Sequence, residues 1–212
     1  MAMKMNDDGV YFPIWGTCLG MEQMTTWPLD PPQNLLSNCT GAEAIPLPVS
    51  FTKEASTSKL YGNAPSYILD TLANEKITPN FHSFCLSMKT YLSNPALRSF
   101  YTVTTTNTDS SGLVYASSME SKQYPFYGVQ WHPEMINFWH SKNVERGITN
   151  SMSGAMVSQY CANFFIEEAR KNTNSFKSYA EEGRFLFNSY HSVFINMFET
   201  YVFTDIDVPD FD

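Results

Sequence analysis

Two short runs carry residue types suited to covalent catalysis. The first is Gly16-Thr17-Cys18-Leu19-Gly20, directly after the apolar segment Tyr11–Trp15. A nucleophile set between a strand and a helix sits on a sharp turn, and small neighbours are expected because a Cβ at either glycine would crowd it. The turn places the Cys18 sulfur at a helix start, where free N–H groups and the helix dipole favour the thiolate. The N–H of Leu19 is then a natural oxyanion donor. Alone, G-x-C-x-G also describes a tight turn with a buried cysteine. The second run is Tyr127-Gly128-Val129-Gln130-Trp131-His132-Pro133-Glu134. His132, ending an apolar strand, can take a thiol proton and later return it to a leaving amine. Glu134, held two residues on by Pro133, can accept from the other ring nitrogen and fix the tautomer.

Three further polar residues stand near these runs. Glu22 lies four residues after Cys18, hence on the same helical face; by itself it reads as a solvated surface carboxylate. Gln130 either points into the cleft or pairs within the sheet. His82 shares a face with Phe84 and Leu86, where a satisfied, partly buried histidine is the default. His140 and His191 show no partner pattern and read as structural or exposed.

The elements that must position these groups follow from local pattern. Tyr11–Trp15 reads as a buried strand, against which Pro13 is a mild objection. Leu19–Thr26 reads as a short helix, and Trp27–Pro32 as irregular because of its prolines. A strand is expected over Leu47–Phe51 and a helix over Ser66–Ala73. Asn80–Met88 alternates as a strand with His82, Phe84, Leu86 and Met88 on one side. A brief helix at Asn94–Phe100 precedes strands at Tyr101–Thr106, Leu113–Met119 and Phe126–Trp131, with a turn at Ser110–Gly112. The clearest helix spans about Ser153–Arg170, its apolar face carrying Val157, Tyr160, Cys161, Phe164, Phe165 and Ala169. Cys161 is therefore a core residue. A last strand is expected over Tyr201–Phe203. Interleaved strands and helices with no internal repeat or linker give one α/β domain over residues 1–212.

Bulk properties exclude several function classes. The 212 residues are 43% hydrophobic and 15% aromatic, enough for a folded core. A net charge of −8 with no basic stretch argues against nucleic acid as partner. No apolar run approaches a membrane span, and the first residues have no apolar h-region of a signal peptide. The four cysteines, Cys18, Cys39, Cys85 and Cys161, show no C-x-x-C, so a zinc ribbon or redox pair is not expected. Asn38-Cys39-Thr40 is a sequon, open to glycosylation if the chain is secreted.

Taken together, the cysteine elbow and the distant W-H-P-E run are similar to the nucleophile and base of class I glutamine amidotransferases. Tyr11–Gly20, Asn80-Phe81-His82, Thr105–Asp109, Tyr124–Glu134 and Asn163–Lys171 all resemble the γ-glutamyl hydrolase family, over nearly the whole chain except roughly residues 206–212. The resemblance implies a three-layer α/β/α, flavodoxin-like fold. It implies hydrolysis of γ-glutamyl bonds in folate and antifolate polyglutamates through a thioester, with no metal or organic cofactor and no membrane partner. It further implies a lysosomal, vacuolar or extracellular location and a homodimer. By residue matching, Cys18 is the nucleophile, His132 the base and Glu134 its orienting group. His82, Glu22, Gln130 and the Leu19 N–H fall beside the substrate. A polyanionic substrate against an acidic chain requires local Lys or Arg to offset the charge.

Departures from the family are also plain. The fold usually begins with strands and helices before the nucleophile strand, including a Gly-rich loop that supplies a second oxyanion donor, and here Cys18 stands close to residue 1. Loss of such a donor costs ~3–4 kcal/mol of transition-state stabilisation, and the nucleophile strand would expose an apolar edge. The expectation is an N-terminally incomplete chain that alone is inactive or poorly folded. Two rivals share the same residues: a glutaminase subunit feeding ammonia to a synthetase, and a non-catalytic truncated product of the hydrolase. The segment after Arg170 and Thr105–Asp109 favour the hydrolase.

Overall fold

The computed structural model describes residues 1–138, 147–195 and 198–202. It divides into two compact units, Met1–Asn172 and Thr173–Asp212, although the sequence shows no linker between them.

The first unit is built on a five-stranded mixed sheet. Its strands are β1 (Ile14–Thr17), β4 (Ser50–Phe51), β7 (Tyr101–Thr108), β8 (Val114–Ser121) and β9 (Phe126–Val129). The order is β1-β9-β8-β7-β4, with β1 parallel to β9 and the other pairs antiparallel. Among the described residues β1 lies at an edge of this sheet, paired with β9. Two flanking pairs complete the strands: β2 (Ser37–Asn38) with β6 (Phe84–Cys85), and β3 (Glu43–Leu47) with β5 (Thr78–Phe81).

Alternation along β1 and β9 sorts side chains to the two faces. Ile14 and Phe126 face a core that holds Met21 and Met24 of α2 (Leu19–Met24) and Leu97 of α5 (Pro95–Phe100). Trp15 and Val129 face a second core, with Ile68 and Leu72 of α3 (Ser66–Asn74) and Val157 and Cys161 of α7 (Met152–Ala169). Helices therefore cover both faces, which is the expected three-layer α/β/α arrangement. Cys161 is buried as expected, and burial pushes its thiol up to about 12. Glu168 of α7 locks the layers: Tyr127 donates to it at 2.8 Å, Tyr11 donates as well, and Lys171 pairs with it at 2.5 Å.

Several helix ends follow their sequence cues. Asn94 caps α5 by accepting from Leu97 N–H, with Pro95 in the first turn. Ser151 caps α7 by accepting from Gly154 N–H. The Asn80–Met88 segment differs from expectation. Its alternation is interrupted: Thr78–Phe81 pairs with β3, the chain bends at Ser83, and Phe84–Cys85 pairs with β2. Ser87 then caps a helix, α4 (Met88–Ser93), so Met88 is helical. Phe84 is half exposed while His82 and Leu86 are buried, so they do not share one face of a strand.

Cysteine spacing gave no sign of the disulfide between Cys39 and Cys85. It closes a loop of sequence separation 46 by clamping β2 to β6. Loop-closure entropy makes such a link worth about 4 kcal/mol. The double variant Cys39→Ala/Cys85→Ala is expected to unfold at lower denaturant by roughly that amount. An unchanged midpoint would show that the clamp contributes nothing.

The two glycines of the elbow behave differently. A Cβ on Gly16 would meet backbone atoms Gly20 C and Met21 N at 2.8 Å each, and Met24 Sδ at 2.7 Å. Gly20 has nothing within 4 Å, so crowding is not why a glycine stands there. Gly16→Ala is expected to destabilise by about 1–3 kcal/mol, whereas Gly20→Ala, in a helix, should be neutral or stabilise by up to about 1 kcal/mol. Equilibrium denaturation of the two variants checks the opposite signs.

The second unit contains α8 (Tyr179–Phe185), a 3-10 turn at Phe187–Ser189 and a hairpin of β10 (Ser192–Ile195) with β11 (Phe198–Tyr201). The expected final strand is thus found earlier, and Phe203 lies outside the described residues, as does His140. His191 is exposed. No helix among the described residues is long and apolar enough to cross a membrane.

Candidate active site

β1 and α2 meet at Cys18, which has φ 51° and ψ −108°. This is the left-handed side of the map, costly for a residue with a Cβ, typically ~1–3 kcal/mol. Two hydrogen bonds hold the strain: Cys18 N–H donates to the Val129 carbonyl at 2.8 Å, and Glu22 N–H donates to the Cys18 carbonyl at 3.0 Å. The bond to Val129 fastens the elbow to the end of β9, just before Gln130 and His132. The same strand ends therefore bring residues over a hundred positions apart to one place. Leu19 is exposed, and its N–H, as the first in the helix, has no intrahelical acceptor.

His132 stands between Cys18 and Glu134. Its Nδ1–H donates to Glu134 Oε1 at 2.6 Å. Its backbone N–H donates to the Pro79 carbonyl at 2.9 Å, and the Phe81 ring packs edge-on against the imidazole. Burial alone would lower its pKa. Hydrogen bonds with Cys18 and Glu134, and the negative charge of both, outweigh burial and raise it to about 9.

Gln130 points its side chain into the same place. Nε2 donates to Glu22 Oε1 at 2.8 Å and lies 3.9 Å from Cys18 Sγ, while the backbone N–H holds the sheet through Ser117. Glu22 is thereby buried rather than solvated, and burial raises its pKa against the lowering effect of the Gln130 bond. Gln130 Oε1 is buried without a hydrogen-bond partner among the described residues.

His82 lies near enough for the His132 charge to be felt. Its Nδ1 bonds the Phe84 carbonyl at 2.9 Å, and Nε2 lies 3.1 Å from Asn80 Oδ1. Burial lowers its pKa to about 4, opposed by the Phe84 bond and reinforced by the positive charge of His132. Two of its neighbours were not singled out by sequence reasoning. Asn80, fully buried, braces the ring and appeared only inside a motif. Tyr115 packs edge-on against the ring from β8; no local pattern marks it, because the contact depends on sheet topology.

All seven predicted residues thus gather where β1, β9, α2 and the β5–β6 bend converge. Two cavities touch the elbow, one at Thr17 and one at Leu19. One, of about 440 Å³, is lined by Trp15, Thr17, Pro133, Glu134, Phe138 and Phe165. The other, of about 300 Å³, is lined by Leu19, Glu22, Gln23, Pro32 and Asn34 among others. The described residues contain no group of three or more His, Cys, Asp or Glu placed to hold a metal ion.

This geometry can be set beside known proteins. The chain is 41% identical to the γ-glutamyl hydrolase of Rattus norvegicus over 181 residues, 85% of this chain and 55% of the relative. It is 38% identical to that of Homo sapiens over 195 residues, 92% of this chain and 59% of the relative. It is 36% identical to γ-glutamyl hydrolase B of Dictyostelium discoideum over 208 residues, 98% of this chain and 56% of the relative. The chain therefore spans little more than half the length of these relatives. A solved structure described as a putative GMP synthase component from Thermoplasma acidophilum is similar at 15% identity and a TM-score of 0.35, over 79% of this chain and 66% of its own. The model of the Peptidase C26 family matches residues 1–134, well over half of the sequence and inclusive of both motifs, so the chain belongs to that family.

Proposed function

We propose that the protein hydrolyses γ-glutamyl bonds, with folate polyglutamates as the small-molecule substrate, by acyl transfer through Cys18. The observation that carries this reading is the strained elbow presenting Cys18 to His132, whose other ring nitrogen is bonded to Glu134. Family membership and the named relatives supply the bond type.

In the first half-reaction the Cys18 proton already rests on His132, as the imidazolium. The sulfur attacks the γ-carbonyl carbon, and the carbonyl oxygen becomes an oxyanion near the Leu19 N–H. The C–N bond then breaks as His132 returns the proton to the leaving amine of glutamate or oligoglutamate. In the second, His132 takes a proton from water, which adds to the thioester and releases the acid and the thiol. Glu134 keeps the imidazole in the required tautomer and stabilises its cation. That cation also meets an anionic substrate with a positive charge in an otherwise acidic chain. Glu22, Gln130 and His82 line the substrate side. By the same family likeness, the protein works as a homodimer in a lysosomal, vacuolar or extracellular setting, with no cofactor.

The test is hydrolysis of a γ-glutamyl dipeptide and a folate triglutamate beside free glutamine. Release of glutamate from the γ-linked peptides supports the proposal. Glutamine hydrolysis without peptide cleavage would select the glutaminase reading. Binding without turnover would select a non-catalytic role.

A further inference from the structure

We propose that Asn38 is a glycan attachment site, filled before Cys39 and Cys85 join. The inference rests on the secretory setting proposed above. Asn38-Cys39-Thr40 is the chain's sole N-x-S/T sequon. Asn38 is exposed on the two-residue strand β2, and its side chain has no hydrogen-bond partner among the described residues. Its register partner is Phe84, so the two side chains project from the same face of the pair. Phe84 is half exposed, an apolar surface that a sugar can cover. The disulfide is an independent sign of the same route, because such links form and persist in oxidising compartments, where glycan transfer also occurs.

The order of events follows from how the folded sequon is held. Cys39 is 6% exposed, its N–H donates to the Ser83 carbonyl at 2.9 Å, and its sulfur is bonded to Cys85. Thr40 N–H donates to Asp109 Oδ2 at 2.7 Å, and the Thr40 carbonyl accepts from Ser110 N–H and Oγ. A transferase must draw Asn38 and Thr40 together into its own site as an extended segment, and the folded, cross-linked strand does not release them. The reactive step therefore falls on the open chain. Asn38 Nδ2 attacks C1 of an oligosaccharide carried on a lipid diphosphate. The C1–O bond to phosphate breaks, the N–C1 bond forms, Nδ2 loses one proton, and the lipid diphosphate departs with the bonding pair. Once the sugar is attached, the exposed Asn38 position lets the strand pair close beneath it.

The experiment expresses the full chain behind a secretion leader in eukaryotic cells, which imposes the compartment and so separates this inference from the native location. Enzymatic removal of N-linked sugar should lower the mass by one glycan and convert Asn38 to Asp. Thr40→Ala should lose the sugar, and Thr40→Ser should keep it. Occupancy should be partial in the unaltered chain and rise in Cys85→Ala. A thiol reductant added during synthesis should raise it likewise without any substitution. A secreted chain with no sugar at Asn38 in any fraction, whether unaltered, made with reductant or carrying Cys85→Ala, would overturn the site. Occupancy indifferent to both Cys85→Ala and reductant would overturn the order.

Discussion

Cys18→Ser lowers kcat/KM for γ-glutamyl hydrolysis by roughly 10⁴- to 10⁶-fold, the scale seen when a covalent nucleophile is removed. The substitution keeps the side chain's shape at the elbow, so the bonds of Cys18 N–H to Val129 and of Glu22 N–H to the Cys18 carbonyl are retained. What changes is the chemistry. A hydroxyl is a far weaker nucleophile near neutral pH than a thiolate. It also withdraws one of the two partners that raise the His132 pKa, so His132 falls back toward its ordinary value. Product binding should survive, because Glu22, Gln130 and His82 are untouched. Steady-state kinetics with equilibrium binding of glutamate separates the two effects. A variant within tenfold of the unaltered protein would mean that another group attacks the carbonyl.

The second large effect is at His132. His132→Gln should cost about 10⁴-fold in kcat, since proton removal and return both fail. The pH dependence carries further information. Because His132 is raised to about 9, the imidazolium persists through neutral pH, and hydrolysis should decline as pH rises through that value. Glu134→Gln keeps a hydrogen-bond acceptor but removes a charge, so the alkaline limb should move to lower pH. The rate cost should be roughly 10- to 1000-fold, less than for a buried triad carboxylate because Glu134 is mostly exposed. Stability has a definite sign too. A folded-state pKa above the unfolded value near 6.5 means that this contribution is full below pH ~6.5 and is lost as pH rises through about 9. An alkaline limb that stays in place in Glu134→Gln would contradict the role given to that carboxylate.

Much of the fold and site was legible because the cues are local. The elbow, the brief helix after Asn94, the long α7 stripe and the β7–β8 hairpin around Gly112 each follow from residues within a few positions of one another. What was not legible depends on distant partners. Asn80–Met88 alternates like one strand, but its ends pair with different strands, and Ser87 starts a helix. Glu22 looks like a surface carboxylate until Gln130 folds onto it. Nothing near Cys39 announces Cys85, because their approach is a property of the β2–β6 register. At the candidate site the residue types were readable from two motifs, whereas the bracing of His82 by Asn80 and Tyr115 needed the sheet's topology.

Catalysis by this site requires the sulfur of Cys18 to exchange its proton with His132. Timed alkylation with iodoacetamide, mapped by mass spectrometry, examines that link without requiring turnover. The prediction is that Cys18 is modified at neutral pH while Cys161, buried in the core, stays unmodified until the chain is unfolded. In His132→Gln the Cys18 rate should drop by at least about tenfold. Equal Cys18 rates with and without His132 would contradict the account, because the imidazole would then have no hold on that proton.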